Sequence, residues 1–160
     1  MTGKRLVHTA LLLLGTMLAT AGSPATEPIN APAPTKLIPL RVVNDGVPEP
    51  LAAAPGDAGR GRALLLARDA ANCILCHALS DPQIRFSGNL GPPLDGVGRK
   101  LSLAQLRLRV ADNLQLNAAT IMPSYYRIDG LDRVAAAYRG KPILTGQEIE
   151  DIIAYLATLK

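Results

Sequence analysis

Cys73-Ile74-Leu75-Cys76-His77 is the stretch that decides the fold, because it places two thiols and one imidazole at C-x-x-C-H spacing. This spacing is the attachment signature of c-type haem. On one turn of backbone, the two sulfurs can reach the two vinyl groups on one edge of the porphyrin as thioethers. The adjacent imidazole is then placed beneath the iron. We therefore predict one covalent haem c, held by Cys73 and Cys76, with His77 as an axial iron ligand.

Two other kinds of site use a similar motif. A C-x-x-C redox pair of the thioredoxin type is compatible with an exported protein. Its fold requires βαβ units and aromatic strands, however, and the sequence shows no convincing strand. A zinc site would need a fourth ligand beyond Cys73, Cys76 and His77, and the mature chain predicted below has no other His and no second C-x-x-C pair. Both remain alternatives to haem.

The first 21 residues have the pattern of a secretory signal peptide. Lys4 and Arg5 form a positive start, the apolar run 10–18 follows, and Ala19-Thr20-Ala21 is a small-x-small cleavage site. The apolar run is shorter than the roughly 20 residues that span a bilayer, although an N-terminal membrane anchor is the alternative. We predict that residues 1–21 are cleaved and that the mature protein lies in the periplasm.

The composition of the 160-residue chain indicates a small domain that fills its core with something other than aromatic side chains. Aromatic residues make up only 3%, with one Phe, four Tyr and no Trp, and a bound haem would replace that bulk. Removal of Lys4 and Arg5 leaves 15 basic and 13 acidic residues and lowers the net charge from +4 to +2. No basic run with interleaved aromatics occurs, so a nucleic-acid role is not supported.

Met122 is the predicted second axial ligand. It is the only Met left after cleavage, and it precedes Pro123, whose ring stiffens the local backbone. A lone Met is ordinarily a gap-filler in a core, and an open or Lys-ligated iron is the alternative. His and Met together raise the reduction potential and leave no vacant position on the iron. This ligand pair indicates electron transfer rather than catalysis at the haem.

The chain divides into three predicted parts: the signal peptide 1–21, a Pro-rich arm 22–55 and a globular domain 56–160. Eight of the 13 prolines lie in the arm, whose composition favours extended backbone with little to bury. The arm is either a disordered linker or a segment that orders against a partner through its few apolar residues, among them Leu37, Ile38 and Val43.

The domain is predicted to be all-α. Helices are expected over 60–72, over 102–113 and, as a short element, over 129–138, with a Gly- and Pro-rich loop over 81–100. Thr145 and Glu148 form a capping box that begins a final helix. Gly61 and Tyr155 are the candidates for the point where the first and last helices cross, because a glycine permits close approach of two backbones.

The order of these motifs resembles a class I cytochrome c and, more narrowly, the SoxX family. SoxX proteins are the monohaem subunits of the SoxAX cytochrome pair of bacterial thiosulfate oxidation. The resemblance covers most of residues 60–160, while the arm matches no motif. Three stretches carry it: Gly88-Asn89-Leu90-Gly91-Pro92-Pro93-Leu94-Asp95-Gly96-Val97-Gly98-Arg99, Thr120-Ile121-Met122-Pro123-Ser124-Tyr125-Tyr126 and the final-helix stretch 144–159.

The resemblance implies roles for further residues. Similar cytochromes hold the ligand imidazole with the carbonyl of the proline in a Gly-Pro pair, which here is Pro92 accepting a hydrogen bond from His77. Arg99 or Lys100 could pair with a haem propionate, or could be an ordinary solvated surface charge.

The resemblance also implies partners and a reaction. A SoxA-like cytochrome subunit would form a heterodimer with this chain, and the complex would oxidatively couple thiosulfate to a cysteine of a SoxYZ-like carrier protein. This chain would pass the electrons to a cytochrome c acceptor. A free-standing periplasmic electron shuttle is the alternative. Of Tyr125 and Tyr126, we expect one to pack on the haem and the other, with the arm, to face the SoxA-like subunit, unless both are core residues.

Overall fold

The computed structural model describes residues 37–160, and the predicted all-α fold is confirmed there. The elements are four α-helices and three short 3₁₀ turns, and the described residues contain no strand, only a bridge between Val43 and Gly46. The predicted signal peptide over 1–21 and the arm over 22–36 lie outside the described residues. Among those described, no helix is both long and apolar enough to cross a membrane.

Helix α1 covers Ala58–Leu66 and is shorter than the sequence predicts. Asp57 begins it by accepting a hydrogen bond from the amide of Arg60 at 2.7 Å. The helix ends because Ala67 adopts extended backbone angles, and Asn72 then takes the left-handed region with φ 53°. Asn tolerates that region better than most residues. The chain therefore turns before Cys73, where continuous helix had been expected.

Helices α2, Val97–Lys100, and α3, Leu103–Asp112, follow the long loop. Ser102 and Gln105 form a capping box at the start of α3, which agrees with the predicted helix. The expected short helix over 129–138 is wrong, since only a 3₁₀ turn at Ala136–Tyr138 forms. Gly130 and Arg133 both have positive φ in this segment, a backbone conformation that interrupts a helix.

Helix α4 covers Gly146–Leu156 and crosses α1. Its predicted capping box between Thr145 and Glu148 is present. At the crossing, a Cβ on Gly61 would collide with the backbone of Asp151 and Ile152, so the close approach expected of Gly61 is confirmed. The structure places Asp151 and Ile152, rather than Tyr155, directly opposite this glycine.

The described part of the arm, residues 37–55, packs against the helices of this same chain. Val47 is only 1% exposed, and its amide bonds to the carbonyl oxygen of Ala104 at 2.9 Å. Arg107 of α3 donates to the Val47 carbonyl at 2.6 Å and to the carboxylate of Glu150 at 2.7 and 2.9 Å. Glu150 also accepts from the Leu51 amide at 2.9 Å. A buried ion pair thus joins the arm to α3 and α4.

Both adjacent tyrosines are buried within this chain, so the expectation that one of them faces a partner is wrong. The Tyr125 hydroxyl donates to the carbonyl oxygen of Ala71 at 2.6 Å. The Tyr126 hydroxyl accepts from the amide of Ile38 in the arm at 3.0 Å. The arm therefore covers Tyr126 in the place that had been assigned to a partner subunit.

Candidate functional site

The C-x-x-C-H segment is a 3₁₀ turn, Cys73–Leu75, followed by two residues of tight backbone. The amides of Cys76 and His77 both donate to the carbonyl oxygen of Cys73, at 3.1 and 3.0 Å. One turn of backbone therefore carries both thiols and the imidazole. This local geometry is what the spacing predicts.

The Gly-Pro loop runs beside this turn and is fixed to it by backbone hydrogen bonds. The amide of Gly88 donates to Ile74 at 2.8 Å, and that of Gly91 to Cys76 at 2.8 Å. The amide of Leu94 continues the pairing by donating to Ala78 at 2.9 Å. These three bonds hold the loop over 88–94 to the segment 74–78 and leave little freedom to the prolines between them.

The result is a direct contact between His77 and Pro92. The Nδ1 atom of His77 lies 2.7 Å from the carbonyl oxygen of Pro92. Because a carbonyl can only accept, Nδ1 carries the proton in this contact, and the lone pair is left on Nε2. A Cβ on Gly91 would collide with the same imidazole ring. The loop thus fixes both the orientation of the ring and the nitrogen that remains available.

Two adjoining cavities, of about 370 and 410 Å³, lie over this segment. Cys73, His77, Pro92 and Met122 line both of them, and Cys76 lines the second. The first cavity, of about 370 Å³, reaches the core, where its walls are apolar: Leu65, Leu106, Val110, Ile152 and Leu156. We call the two cavities together the cleft. Five of the six predicted site residues therefore meet at one place.

The sixth, Arg99, lies in α2 and does not line the cleft. The charged residues that line it are Lys100, which the sequence analysis had named beside Arg99, and Arg109, which it had not. Arg109 shares a face of α3 with Leu106 and Asn113, and helical spacing of three and four residues could have identified it. Its guanidinium lies 3.6 Å from the carboxylate of Asp45 in the arm.

Tyr125 is a second residue of the cleft whose contacts the sequence did not reveal. It lines both cavities, and its hydroxyl reaches Ala71, two residues before Cys73. The side chain therefore links the loop that carries Met122 to the turn that carries the thiols. No signal in the sequence identifies this pairing, because residues 71 and 125 are distant in the chain.

The two thiols are free, and the environment of Cys73 does not suit redox catalysis. Burial raises the pKa of the Cys73 thiol to about 11. A thiol–disulfide enzyme needs a thiolate near neutral pH and hence a lowered pKa. Within residues 37–160, no three His, Cys, Asp or Glu side chains converge as a metal-binding set, so the zinc alternative gains no support either.

The rim of the second cavity is apolar, and no Asp, Glu, Lys or Arg lines that cavity. Leu90 and Ile121, which line the second cavity, of about 410 Å³, are 70% and 76% exposed. The segments 70–80, 86–94 and 113–126 carry no Asp, Glu, Lys or Arg. Large exposed apolar side chains grouped in this way indicate a surface that another molecule covers.

The donor set and the shape of the cleft fit a covalently attached haem. Two thiols on one turn, a neighbouring imidazole with a free Nε2, and a thioether within an apolar cleft are the groups that hold haem c. The apolar walls provide the surface against which a porphyrin would pack.

Comparisons with known proteins agree with this chemistry. The family model described as Cytochrome c matches residues 59–160. A chain in the crystal structure of SoxXA from P. pantotrophus is 36% identical, with a TM-score of 0.70, over 76% of this chain and 94% of that one. No curated protein sequence matches this chain. The family match spans more than half of the sequence, and together with the SoxXA neighbour it bears out the resemblance to SoxX: the chain belongs to the cytochrome c family.

Proposed function

We propose that this protein is the electron-transfer subunit of a SoxAX-type complex, with Cys73 and Cys76 as the haem thioethers and His77 and Met122 as the axial ligands. The observation that carries the haem assignment is the convergence of these four side chains on one cleft. When bound, haem c supplies a one-electron redox couple. Lys100 and Arg109, which line the cleft, would pair with the propionates in preference to Arg99.

The side chains of the cleft set the redox properties. Pro92 holds the His77 ring through Nδ1, which fixes the ligand orientation and raises the basicity of Nε2. A Met122 thioether as the second iron ligand would favour the reduced state relative to a second His. With His77 and Met122 both bound to the iron, the chain would offer no vacant coordination site to a substrate. Its own part in the reaction is therefore electron transfer.

The apolar rim around Leu90 and Ile121 favours a SoxA-like subunit as the partner of this chain. A shuttle that docks transiently relies on charged residues around its redox site for fast, salt-sensitive association. The rim described above has apolar side chains and no charges, which is typical of a lasting interface. The SoxXA neighbour supports the same partner. The free-standing shuttle therefore remains the second hypothesis.

Within such a complex, the reaction we propose is that of an L-cysteine S-thiosulfotransferase. Thiosulfate sulfur becomes bonded to the cysteine sulfur of a SoxYZ-like carrier, the thiol proton is released, and two electrons leave. This chain would receive those electrons one at a time and pass them to a cytochrome c acceptor. Cleavage after Ala21 would place the mature chain in the periplasm, where such carriers would meet it.

Co-expression with a SoxA-like subunit tests the proposal. We expect both proteins to co-purify in equal amounts, each with haem, and to stay together at high salt, because apolar contacts are not screened. Leu90→Asp should weaken the pair, whereas Leu103→Asp, at an exposed leucine that does not line the cleft, should not. A haem-containing chain that purifies alone would favour the shuttle, and a chain without haem absorption would exclude both hypotheses.

A further inference from the structure

The carboxyl end of α3 binds the loop that carries Met122. Asp112 is the last residue of α3 and is 2% exposed. Its carboxylate accepts from Ser124 Oγ at 2.6 Å, from Arg127 Nη2 and Nε at 2.6 and 3.1 Å, and from Gln115 Nε2 at 3.1 Å. Two of these three donor residues, Ser124 and Arg127, belong to the loop just after Met122.

The neighbours of Asp112 bind the same loop at two further points. Asn113 Nδ2 donates to Thr120 Oγ1 at 2.9 Å, and that hydroxyl in turn accepts from the amide of Met122 at 3.2 Å. On the other side of Asp112, the carbonyl oxygen of Ala111 accepts from the amide of Tyr126 at 3.0 Å. Three consecutive residues of one helix end thus hold the loop both before and after Met122.

These bonds are strong because the carboxylate is charged and shielded from water. Burial acts to raise the pKa of Asp112, but hydrogen bonds from Arg127, Ser124 and Gln115 outweigh it and hold that pKa below its ordinary value. A buried carboxylate is tolerated only when its lone pairs are filled. Movement of the loop away from α3 would leave this charge unpaired, so opening the loop is costly.

We propose that Asp112 and Asn113 are positioning residues for Met122, holding the loop 120–127 so that the thioether stays within the cleft. The inference rests on the proposed ligation by Met122. A thioether is a weak ligand, and its hold on iron depends on how rarely its loop opens. The open fraction also sets how tightly a competing ligand binds, since apparent affinity scales with the population of the competent state.

The chain provides a closely matched control in Asp151. It is also 2% exposed, and it also accepts from the Nε and Nη2 atoms of one arginine, Arg60, at 2.7 and 2.9 Å. Asp151 links α1 to α4 and makes no hydrogen bond to the loop 120–127. Asp112→Asn and Asp151→Asn therefore remove equivalent charges. Only Asp112→Asn removes a charge that is hydrogen-bonded to the Met122 loop.

The experiment compares the haem-loaded variants in the ferric state by three readouts: the long-wavelength absorption of a Met–iron bond, the reduction potential, and titration with imidazole as a competing ligand. We expect Asp112→Asn to bind imidazole about tenfold more tightly and to have a lower potential, because one or two charged hydrogen bonds are lost. Asp151→Asn should match the wild type in all three readouts while losing thermal stability. Met122→Ala is the reference variant in which the Met–iron absorption should be absent.

Ser124→Ala keeps the test decisive if Asp112→Asn does not fold, and it should shift imidazole affinity in the same direction by a smaller factor. Equal imidazole affinity and potential in the Asp112 and Asp151 variants would overturn the positioning role and leave the ligand assignment intact. Absence of the Met–iron band in the wild type would overturn both the assignment and the inference, although the attached haem would remain. Among these measurements, the absence of haem is the result that would contradict the electron-transfer role itself.

Discussion

The Nδ1 atom of His77 and the carbonyl oxygen of Pro92 lie 2.7 Å apart. Gly91, which precedes Pro92, has no side chain and so leaves space for the imidazole ring. The hydrogen bond determines which ring nitrogen can bind iron, and the glycine determines whether the ring can lie there. A backbone carbonyl cannot be removed by substitution. The neighbouring Gly91 can be changed instead.

Gly91→Ala should displace the His77 imidazole. The added Cβ would come within 2.7 Å of Nδ1 and 2.9 Å of Nε2, so the ring must move or the loop must separate from it. We expect a lower yield of haem-containing protein and an altered ferric spectrum. Gly59→Ala is the control, since its Cβ would meet only a carboxylate oxygen of Asp57 at 3.2 Å. An unchanged spectrum in Gly91→Ala would contradict the contact.

Loss of the haem should unfold the domain. A dry cavity of about 370 Å³ would cost several kcal/mol at roughly 24 cal/mol per Å³, which approaches the whole stability of a small domain. Cys73→Ala combined with Cys76→Ala should therefore show low helicity by circular dichroism. Wild-type chain produced without haem should behave alike, which separates loss of the haem from the effect of the substitutions. A helical, cooperatively unfolding apo protein would show that the cleft does not need to be filled.

The arm should contribute to stability through Val47 rather than through its exposed valines. Val47→Ala should lower the free energy of unfolding by about 2 kcal/mol, because the side chain is fully buried. Val42→Ala is the matched control. Because the Val42 side chain is partly exposed, this substitution should lower the free energy of unfolding by no more than about 0.5 kcal/mol. Chemical denaturation of the haem-loaded proteins measures both. Equal losses would mean that the arm does not pack on α3 in solution.

Asp151 should make the protein sensitive to acid. Hydrogen bonds from Arg60 chiefly, with the Asp57 amide and Gln147, lower the pKa of Asp151 from 3.8 to about 2, against the opposing effect of burial. A carboxylate with a lowered folded-state pKa stabilises the protein above its unfolded pKa, and that contribution is lost as pH falls through both values. We expect the free energy of unfolding to fall by about 1 to 2 kcal/mol as the pH decreases from about 5 to about 2. The smaller value is expected because Arg60 is well exposed to solvent.

Asp151→Asn should remove that part of the acid dependence, as read from denaturation curves collected across the same pH range. Asp132→Asn is the comparison, since its carboxylate is almost fully exposed, and it should follow the wild type. A wild-type acid profile in the Asp151 variant would contradict the assigned pKa.

Local patterns predicted the parts of the structure that depend on neighbours in sequence. The C-x-x-C-H turn and the capping box of Thr145 involve groups within a few residues of one another. Gly61 was identifiable because a glycine in a helix usually has a packing reason. The end of α1 was predicted too late, because alanine propensity favours helix over 67–72 and only the backbone shows that Asn72 turns the chain.

The remaining features depend on pairs that are distant in the chain. Arg107 and Glu150 resemble ordinary surface charges on amphipathic helices, and nothing in the sequence shows that they meet in the core over Val47. One of Tyr125 and Tyr126 was expected to face a partner because tyrosine is favoured at interfaces. Residues of the arm, far earlier in the chain, cover Tyr126 instead. Long-range pairing of this kind requires the folded structure.

The crossing of α1 and α4 has a consequence for how the chain reaches its native state. Arg60 and Asp151 are 91 positions apart, so contact between the first and last helices requires that a long loop closes. Contacts this distant in sequence slow folding. Cys73, His77 and Met122 all lie inside that loop. A bond from residue 77 through the haem to residue 122 would act there as a cross-link, shortening the length of free chain that must be brought together at the closing step.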